Sequence, residues 1–336
     1  MTRKKVLMLL GSVCLAVMLA LPLVAGCAAP TPTPAPEFPE RDIRIICPWG
    51  AGGGTDAITR NTAYLGEMYL PIDIFVENIV GGASGVGIST VMAADPDGYT
   101  LCTMTYDSIV TVPLKELVPG YDLDRLVFIC RMTTESRGVV VSDKAPWGTL
   151  DELIEDAKKR PGEITASVDV IGGGAHLGYL KWEEAAGIEF KYIPYPGGAG
   201  EQIEALLSGE VDVVGGSGFG DYFPIIDSGD ARGLAIFAPA RLPKSPDVPT
   251  LIELGYDLVH GSFVIVAAPA GTPEEVVKIL ERAFYKAHHS AEFRDWLAKV
   301  GVEASWLDSE ATTKWALEFQ QGEFTLIKML EEKGLL

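Results

Sequence analysis

From about residue 40 onward two hydrophobic rhythms alternate along the chain. Short apolar runs rich in Ile and Val read as strands, and stretches with apolar positions three and four apart read as helices. "IRIICPW" (43–49) predicts a strand, 55–69 a helix, "PIDIFVEN" (71–78) a strand, 85–94 a helix and "YTLCTMT" (99–105) a strand. "LVFICRM" (126–132) and "GVVVS" (138–142) are the next strands. Residues 150–160 predict a helix, with Asp151, Glu152 and Glu155 early and Lys158, Lys159 and Arg160 late, as the helix dipole favours; Pro161-Gly162 ends it. Then come strands at 163–168, 189–195, 210–216, 231–238 and 262–269, with helices at 176–186 and 201–207 between them. Three helical stretches, 273–289, 291–300 and 308–332, close the chain.

Strands alternating with helices predict an α/β fold of mainly parallel sheets covered on both faces. The rhythm runs twice, over 40–135 and over 138–240, and the last strand and helices have no later strands to cover. They are expected to return to the first set. The predicted organisation is therefore a first lobe of 41–136 plus 260–336 and a second lobe of 137–259. Two crossings near 135–138 and 238–262 would join them and act as hinges, with a ligand cleft between.

The start of the chain sets where it works. Arg3, Lys4 and Lys5 precede an apolar run from Val6 to Val24, and small residues lead to Cys27. Residues 1–26 read as a secretory signal peptide. The Val24-Ala25-Gly26-Cys27 end resembles a lipoprotein signal, which implies that Cys27 is lipidated. Residues 27–40 are then a Pro-rich tether holding the body at the periplasmic or cell-surface face of a membrane. Removing Arg3, Lys4 and Lys5 with the leader leaves 24 Lys and Arg against 46 Asp and Glu, a net of −22. That charge disfavours a nucleic-acid partner. Cys47, Cys102 and Cys130 sit in apolar strand-like runs without CxxC spacing and read as buried reduced thiols, although export would permit one disulfide. His288-His289 reads as exposed and isolated, and no metal or cofactor is predicted.

Glycine-rich turns recur where strands give way to helices: "CPWGAGGGTD" (47–56), "NIVGGASGVG" (78–87), "VDVIGGGAHL" (168–177), "YPGGAGEQI" (195–203) and "VGGSGFGDYF" (214–223). Bare backbone at a helix N-terminus binds anions. No Gly-Lys-Ser/Thr follows any of them, so a nucleotide P-loop is excluded. Repetition in both lobes predicts a clamp in which peptide dipoles, rather than cationic side chains, face one small anion, most simply a carboxylate.

Taken in order, "FPERDIRIICPWGAGGGTD", "GGASGVG", "AADPDGYTL", "GGGAHL", "YIPYPGGAGEQIEALLSGEVDVV", "PDVPTLIELGYD" and "AAPAGTPEEVV" resemble the solute receptors of tripartite tricarboxylate transporters, the Bug or TctC-like proteins. The resemblance spans 38–336. It implies a two-lobed, type II-like periplasmic-binding-protein fold, a small carboxylate solute and delivery to membrane permease subunits. The positions matching the family's ligand loops are Gly52, Gly53, Gly54, Thr55, Asp56 and Ser84 in the first lobe, and Gly173, Gly174, Ala175, His176, Pro196, Gly197 and Gly198 in the second. Thr55 reads equally as an N-cap, and Asp56 as a residue that satisfies loop amides. Tyr106, Asp107, Ser108 and Ser217 are further candidates, with Asp107 able to pair with an ammonium or hydroxyl of the solute. The segment 105–137 departs from the family pattern. No catalytic residue is expected, and the receptor is expected to work as a monomer. Two rivals remain: a sensory input with the same clamp, and an exported hydrolase using Ser84 or Ser217 with His176.

Overall fold

In the computed structural model the described residues are 38–332 and 334. The expected signal peptide, Cys27 and residues 28–37 of the tether lie outside them. At the start of the described body Phe38 packs on Tyr99, ring centroids 4.9 Å apart, and the Glu40 amide donates to the Tyr99 hydroxyl at 2.8 Å.

The first half of the chain runs β1 (Ile43–Cys47), α1 (Gly54–Glu67), β2 (Ile74–Asn78), α2 (Gly85–Met92) and β3 (Thr100–Met104). Two four-residue helices, α3 (Tyr106–Ile109) and α4 (Thr111–Leu114), lead into β4 (Leu126–Ser136). After β5 (Gly138–Ser142) come α5 (Leu150–Lys159), β6 (Thr165–Val168), α6 (Gly174–Ala186), β7 (Lys191–Pro194), α7 (Ala199–Ser208) and β8 (Val213–Val214). A 3-10 turn (Phe219–Tyr222), α8 (Phe223–Asp227), β9 (Ala231–Ile236) and β10 (Gly261–Pro269) follow. The chain closes with α9 (Glu274–His288), α10 (Ala291–Val300), β11 (Glu303–Leu307) and α11 (Ser309–Glu332).

Two mixed sheets result. The six-stranded one has the order β11-β4-β10-β3-β1-β2, and the five-stranded one β7-β6-β8-β5-β9. The parallel units expected from strand–helix alternation are β2-β1-β3 and β7-β6-β8. The antiparallel pairings come from the strands near the crossings: β10 with β3 and β4, and β5 with β8 and β9. Side chains alternate between faces with a period of two. Ile265 and Ala267 join Ile46 and Met104 on one face of the larger sheet, while Val266 and Ala268 join Ile43 and Ile45 on the other. In the smaller sheet Val139 and Val141 pack with Trp182, and Val140 packs with Tyr222. Both faces are covered, which is why these strands read as unbroken apolar runs.

Three details were not read from the sequence. β4 runs four residues past "LVFICRM" because β10 pairs with it from Pro269–Leu126 to Gly261–Ser136. β11 is an edge strand, "EASWL", whose pairing with β4 carries an irregularity between Ala304 and Leu307; lying between two helical patterns, it lacks the apolar run of a central strand. His288 is buried, not exposed: it is 2% accessible and packs near Phe293 and Trp306. Cys47, Cys102 and Cys130 are buried free thiols, and burial pushes the Cys102 pKa up to about 12.

The chain passes between the sheets twice. Arg137 is the single residue between β4 and β5, and residues 237–260 connect β9 to β10. The passages are stitched together. The Arg137 amide donates to the His260 carbonyl (3.1 Å), the Phe237 amide to the Arg137 carbonyl (2.8 Å) and the His260 amide to the Phe237 carbonyl (2.9 Å). Next to this stitch α6 meets the first lobe at very short range. Gly174 and Gly178, four apart and so on one helix face, leave no room for a side chain. A Cβ on Gly174 would sit 2.7 Å from the Tyr106 ring, and one on Gly178 2.2 Å from the His260 ring. His260 Nε2 donates to the Gly174 carbonyl at 2.7 Å.

Candidate functional site

A cavity of about 660 Å³, its open mouth included, lies where the two sheets face each other. From the first lobe Trp49, Gly50, Gly53, Gly54 and Thr55 line it, with Thr105, Asp107, Glu135 and Ser262. From the second come Asp169, Pro196, Gly197, Gly198, Ala199, Ser217, Gly218 and Asp221, and Arg137 enters from the crossing.

Two helices open on this space without a capping side chain at the N-cap, although Glu201 in the first turn of α7 accepts from the Gly197 amide at 2.9 Å. The N-cap of α1 is Gly53, with no side-chain cap; Thr55 lies inside the first turn and is not the cap. The N-cap of α7 is Gly198, also uncapped, at φ 83° and ψ −154°, a conformation close to exclusive to glycine. The first amides of each helix have no intrahelical partner and carry the positive end of the dipole. Asp56 shapes the first loop from behind. Its carboxylate accepts from the Gly52 amide (2.9 Å), Arg60 Nε (2.9 Å) and Asn78 Nδ2 (2.7 Å). Burial works against its ionisation, but the bonds from Arg60, Gly52 and Asn78 together outweigh it and hold the pKa below the usual value.

The third glycine loop serves differently. The N-terminus of α6 is already filled by a carboxylate of the protein: the Gly174 amide donates to Asp107 Oδ1 at 3.4 Å, and Thr111 Oγ1 donates to the same atom at 2.5 Å. Gly173, Gly174, Ala175 and His176 are therefore not among the cavity-lining residues. Gly174, with Gly178, instead answers to close packing of α6 on Tyr106 and His260. His176 Nδ1 accepts from the Gly172 amide at 2.9 Å, its ring meets Tyr192 edge-on, and burial lowers its pKa to about 4.

Several other sequence candidates form a frame around the site. Ser84 and Ser108 pair through their hydroxyls at 2.9 Å, both buried. The Tyr106 hydroxyl donates to Glu323 Oε2 at 2.5 Å. Gly52, Asp56, Ser84, Tyr106 and Ser108 do not line the cavity, whereas Gly53, Gly54, Thr55, Asp107, Pro196, Gly197, Gly198 and Ser217 do. Neither Ser84 nor Ser217 is bonded to His176, whose recorded partner is Gly172.

The expectation of a purely dipolar clamp needs correction, because a guanidinium enters the cavity. Arg137 is 6% exposed, bonded to the Gly216 carbonyl and 3.8 Å from Asp169. No glycine loop announces it; it arrives because the crossing is one residue long. Trp49, Thr105, Glu135, Asp169 and Asp221 were also missed. A usable signal existed: Glu135, Arg137 and Asp169 are charges at the ends of apolar strands, where ligands of α/β sheets bind. Burial raises the carboxyl pKa values here, to about 6 for Asp169 and Asp221 and about 7 for Glu135. Arg137 pulls all three back, while Asp107 pushes Asp169 up and Asp221 pushes Glu135 up.

Two facing α/β lobes with a cavity at their junction and helix N-termini aimed into it define a periplasmic solute-binding protein. Residues 59–331 match the profile of the tripartite tricarboxylate transporter family receptors, TctC, and the chain belongs to that family. It is 31% identical over 306 residues to a UPF0065 protein in the gbd 5′ region of Cupriavidus necator, covering 90% of this chain and 91% of that one. Among solved structures it resembles a TctC solute-binding protein from Polaromonas, at 27% identity and a TM-score of 0.69, over 87% of this chain and 100% of that one. The fold is also shared with Rpa4515 of R. palustris, solved with adipate, at 23% identity and a TM-score of 0.80, over 87% and 97% of the two chains.

Proposed function

We propose that this protein is an exported receptor that holds a small carboxylate between its lobes and delivers it to the permease subunits of a tripartite tricarboxylate-type transporter. The observation that carries the reading is the pair of uncapped helix N-termini, one from each lobe, opening on one cavity beside Arg137. An anion there collects donors from Gly54 and Thr55 on one side and from Ala199 on the other, so it is held only when the lobes face each other. Gly52, Asp56, Ser84, Tyr106 and Ser108 keep the first-lobe loops in shape. Gly173 and Gly174 seat α6 against that lobe, and His176 braces the loop before α6 through Gly172 and Tyr192. The adipate bound by the R. palustris protein fits this assignment. On this reading the Val24-Ala25-Gly26-Cys27 sequence provides a lipid anchor at Cys27, and the body works near the membrane as a monomer. Opening and closing turn on the stitch of Arg137, Phe237 and His260. On this reading the site binds without chemistry; the hydrolase alternative would need a serine bonded to His176, which is engaged with the Gly172 amide.

A receptor of this kind works near micromolar affinity, about 8 kcal/mol. The test is calorimetric titration of mono-, di- and tricarboxylates against the protein and its Gly53→Val variant. The branched side chain should crowd the cavity mouth and weaken the best carboxylate at least about tenfold. Unchanged affinity, or binding confined to neutral sugars, would overturn the reading.

A further inference from the structure

Four carboxyl side chains line the cavity against one cation, and a solute that is only an anion does not answer that balance. Among the described residues no three His, Cys, Asp or Glu converge as metal ligands, so the cluster does not read as a metal site. Two of the four are partly engaged: Asp107 with Thr111 and Gly174, and Asp169 with the Val170 amide and Arg137. Glu135 and Asp221 face one another across the junction, each with an oxygen within 3.6 Å of the point where a Cβ on Gly218 would sit.

Two atoms stand out. Glu135 Oε1 and Arg137 Nε are both buried and both lack a hydrogen-bond partner. An unmet acceptor and an unmet donor in a buried site are costly unless something else satisfies them. They belong to residues two apart at the end of β4, and both residues line the cavity. A free donor on a cation beside a free acceptor on an anion is the complement of a zwitterion. The position of Asp221 points the same way. Its Oδ1 lies 3.0 Å from a Cβ built on Gly54, so this carboxyl stands at the N-terminus of α1. A solute carboxylate arriving there displaces it, and the displaced Asp221, already beside Glu135, then needs a positive partner.

We propose that the solute is an amino acid or similar amino-carboxylate, whose carboxylate meets Arg137 and the α1 and α7 N-termini while its protonated amine lies between Glu135 and Asp221. This rests on the carboxylate-receptor reading and narrows it. Specificity against plain dicarboxylates follows, because a second carboxylate placed among these acids meets like charge. Raised carboxyl pKa values are consistent with a cluster awaiting a cation.

The experiment is a calorimetric comparison of matched pairs on the full chain in detergent: aspartate with succinate, glutamate with glutarate, and leucine with 4-methylpentanoate. In at least one pair the amino form should bind at least about tenfold tighter. Both Glu135→Gln and Asp221→Asn should bring that ratio toward one, with near-ultraviolet circular dichroism reporting that each variant is folded. Equal or tighter binding of the des-amino acids overturns the amine proposal and leaves the carboxylate reading standing. An amino-form preference that neither folded variant reduces overturns the placement of the amine. Silence from every member of all three pairs overturns both.

Discussion

At the residue scale the site is governed by charges that composition alone cannot place. Four acids around Arg137 share a small space, and burial is the largest influence on each of their titrations. Glu135 is the clearest case, with a pKa of about 7 set by burial, then by Asp221 on the 3-10 turn, against the pull of Arg137. The remaining acids facing the cavity are Asp169 beyond β6 and Asp107 on α3. Between the ordinary glutamate pKa and 7 the folded protein keeps a proton that the unfolded chain releases. That contribution favours folding at low pH and is lost as the pH rises through 7. Glu135→Gln removes the burden, so the variant should gain up to about 3 kcal/mol over the parent at pH 8 and much less at pH 5. Thermal melts of the unliganded pair at both pH values check this; an equal shift at both would show that Glu135 is not held protonated. The sequence displayed Glu135, Arg137, Asp169 and Asp221 plainly but not their convergence. Glu135 and Arg137 leave the end of β4, Asp169 follows β6 and Asp221 lies on the 3-10 turn, and only the tertiary fold brings the three places together.

Among elements, the strands and long helices were legible because apolar periodicity is local. Glycines were legible too, but their purposes were not. "GAGGGT" and "PGGAG" mark uncapped helix starts facing the cavity, as the pattern suggested. "GGGAHLG" looks the same in sequence and does another job. Asp107, from 67 residues earlier, accepts from its Gly174 amide, and Gly174 and Gly178 make room for Tyr106 and His260. Whether a glycine bares backbone to a ligand or to a neighbouring helix depends on tertiary neighbours, which a single segment does not reveal. β11 was hidden for a related reason: an edge strand with mixed burial has little apolar signal of its own. Gly178→Ala tests the packing role. A methyl 2.2 Å from the His260 ring forces α6 away from the first lobe. The variant should lose about 1–3 kcal/mol in urea denaturation, as overpacked cores do, and a parent-like midpoint would refute the tight contact.

Across the whole molecule, a second set of contacts ties the lobes on the side of α6 and α11. Lys181 on α6 reaches Glu323 on α11 at 3.0 Å, both side chains largely buried, and Tyr106 donates to the same carboxylate. Removing one partner of such a pair leaves the other charge buried and unpaired. Glu323→Gln should therefore favour separated lobes in the unliganded protein. Small-angle scattering would show a larger radius of gyration than the parent, and a saturating solute would restore the compact value. Identical unliganded profiles would mean that the pair does not help hold the halves together.

The one-residue passage at Arg137 has a mechanical meaning. Its backbone is hydrogen-bonded to the return strand through His260 and Phe237, and its guanidinium is a wall of the chamber. Any swing of one half against the other twists the peptide from which that side chain hangs. If the halves turn on this passage as proposed, cargo that grips the guanidinium grips the axle itself, and loading and turning become one event rather than two joined by a relay.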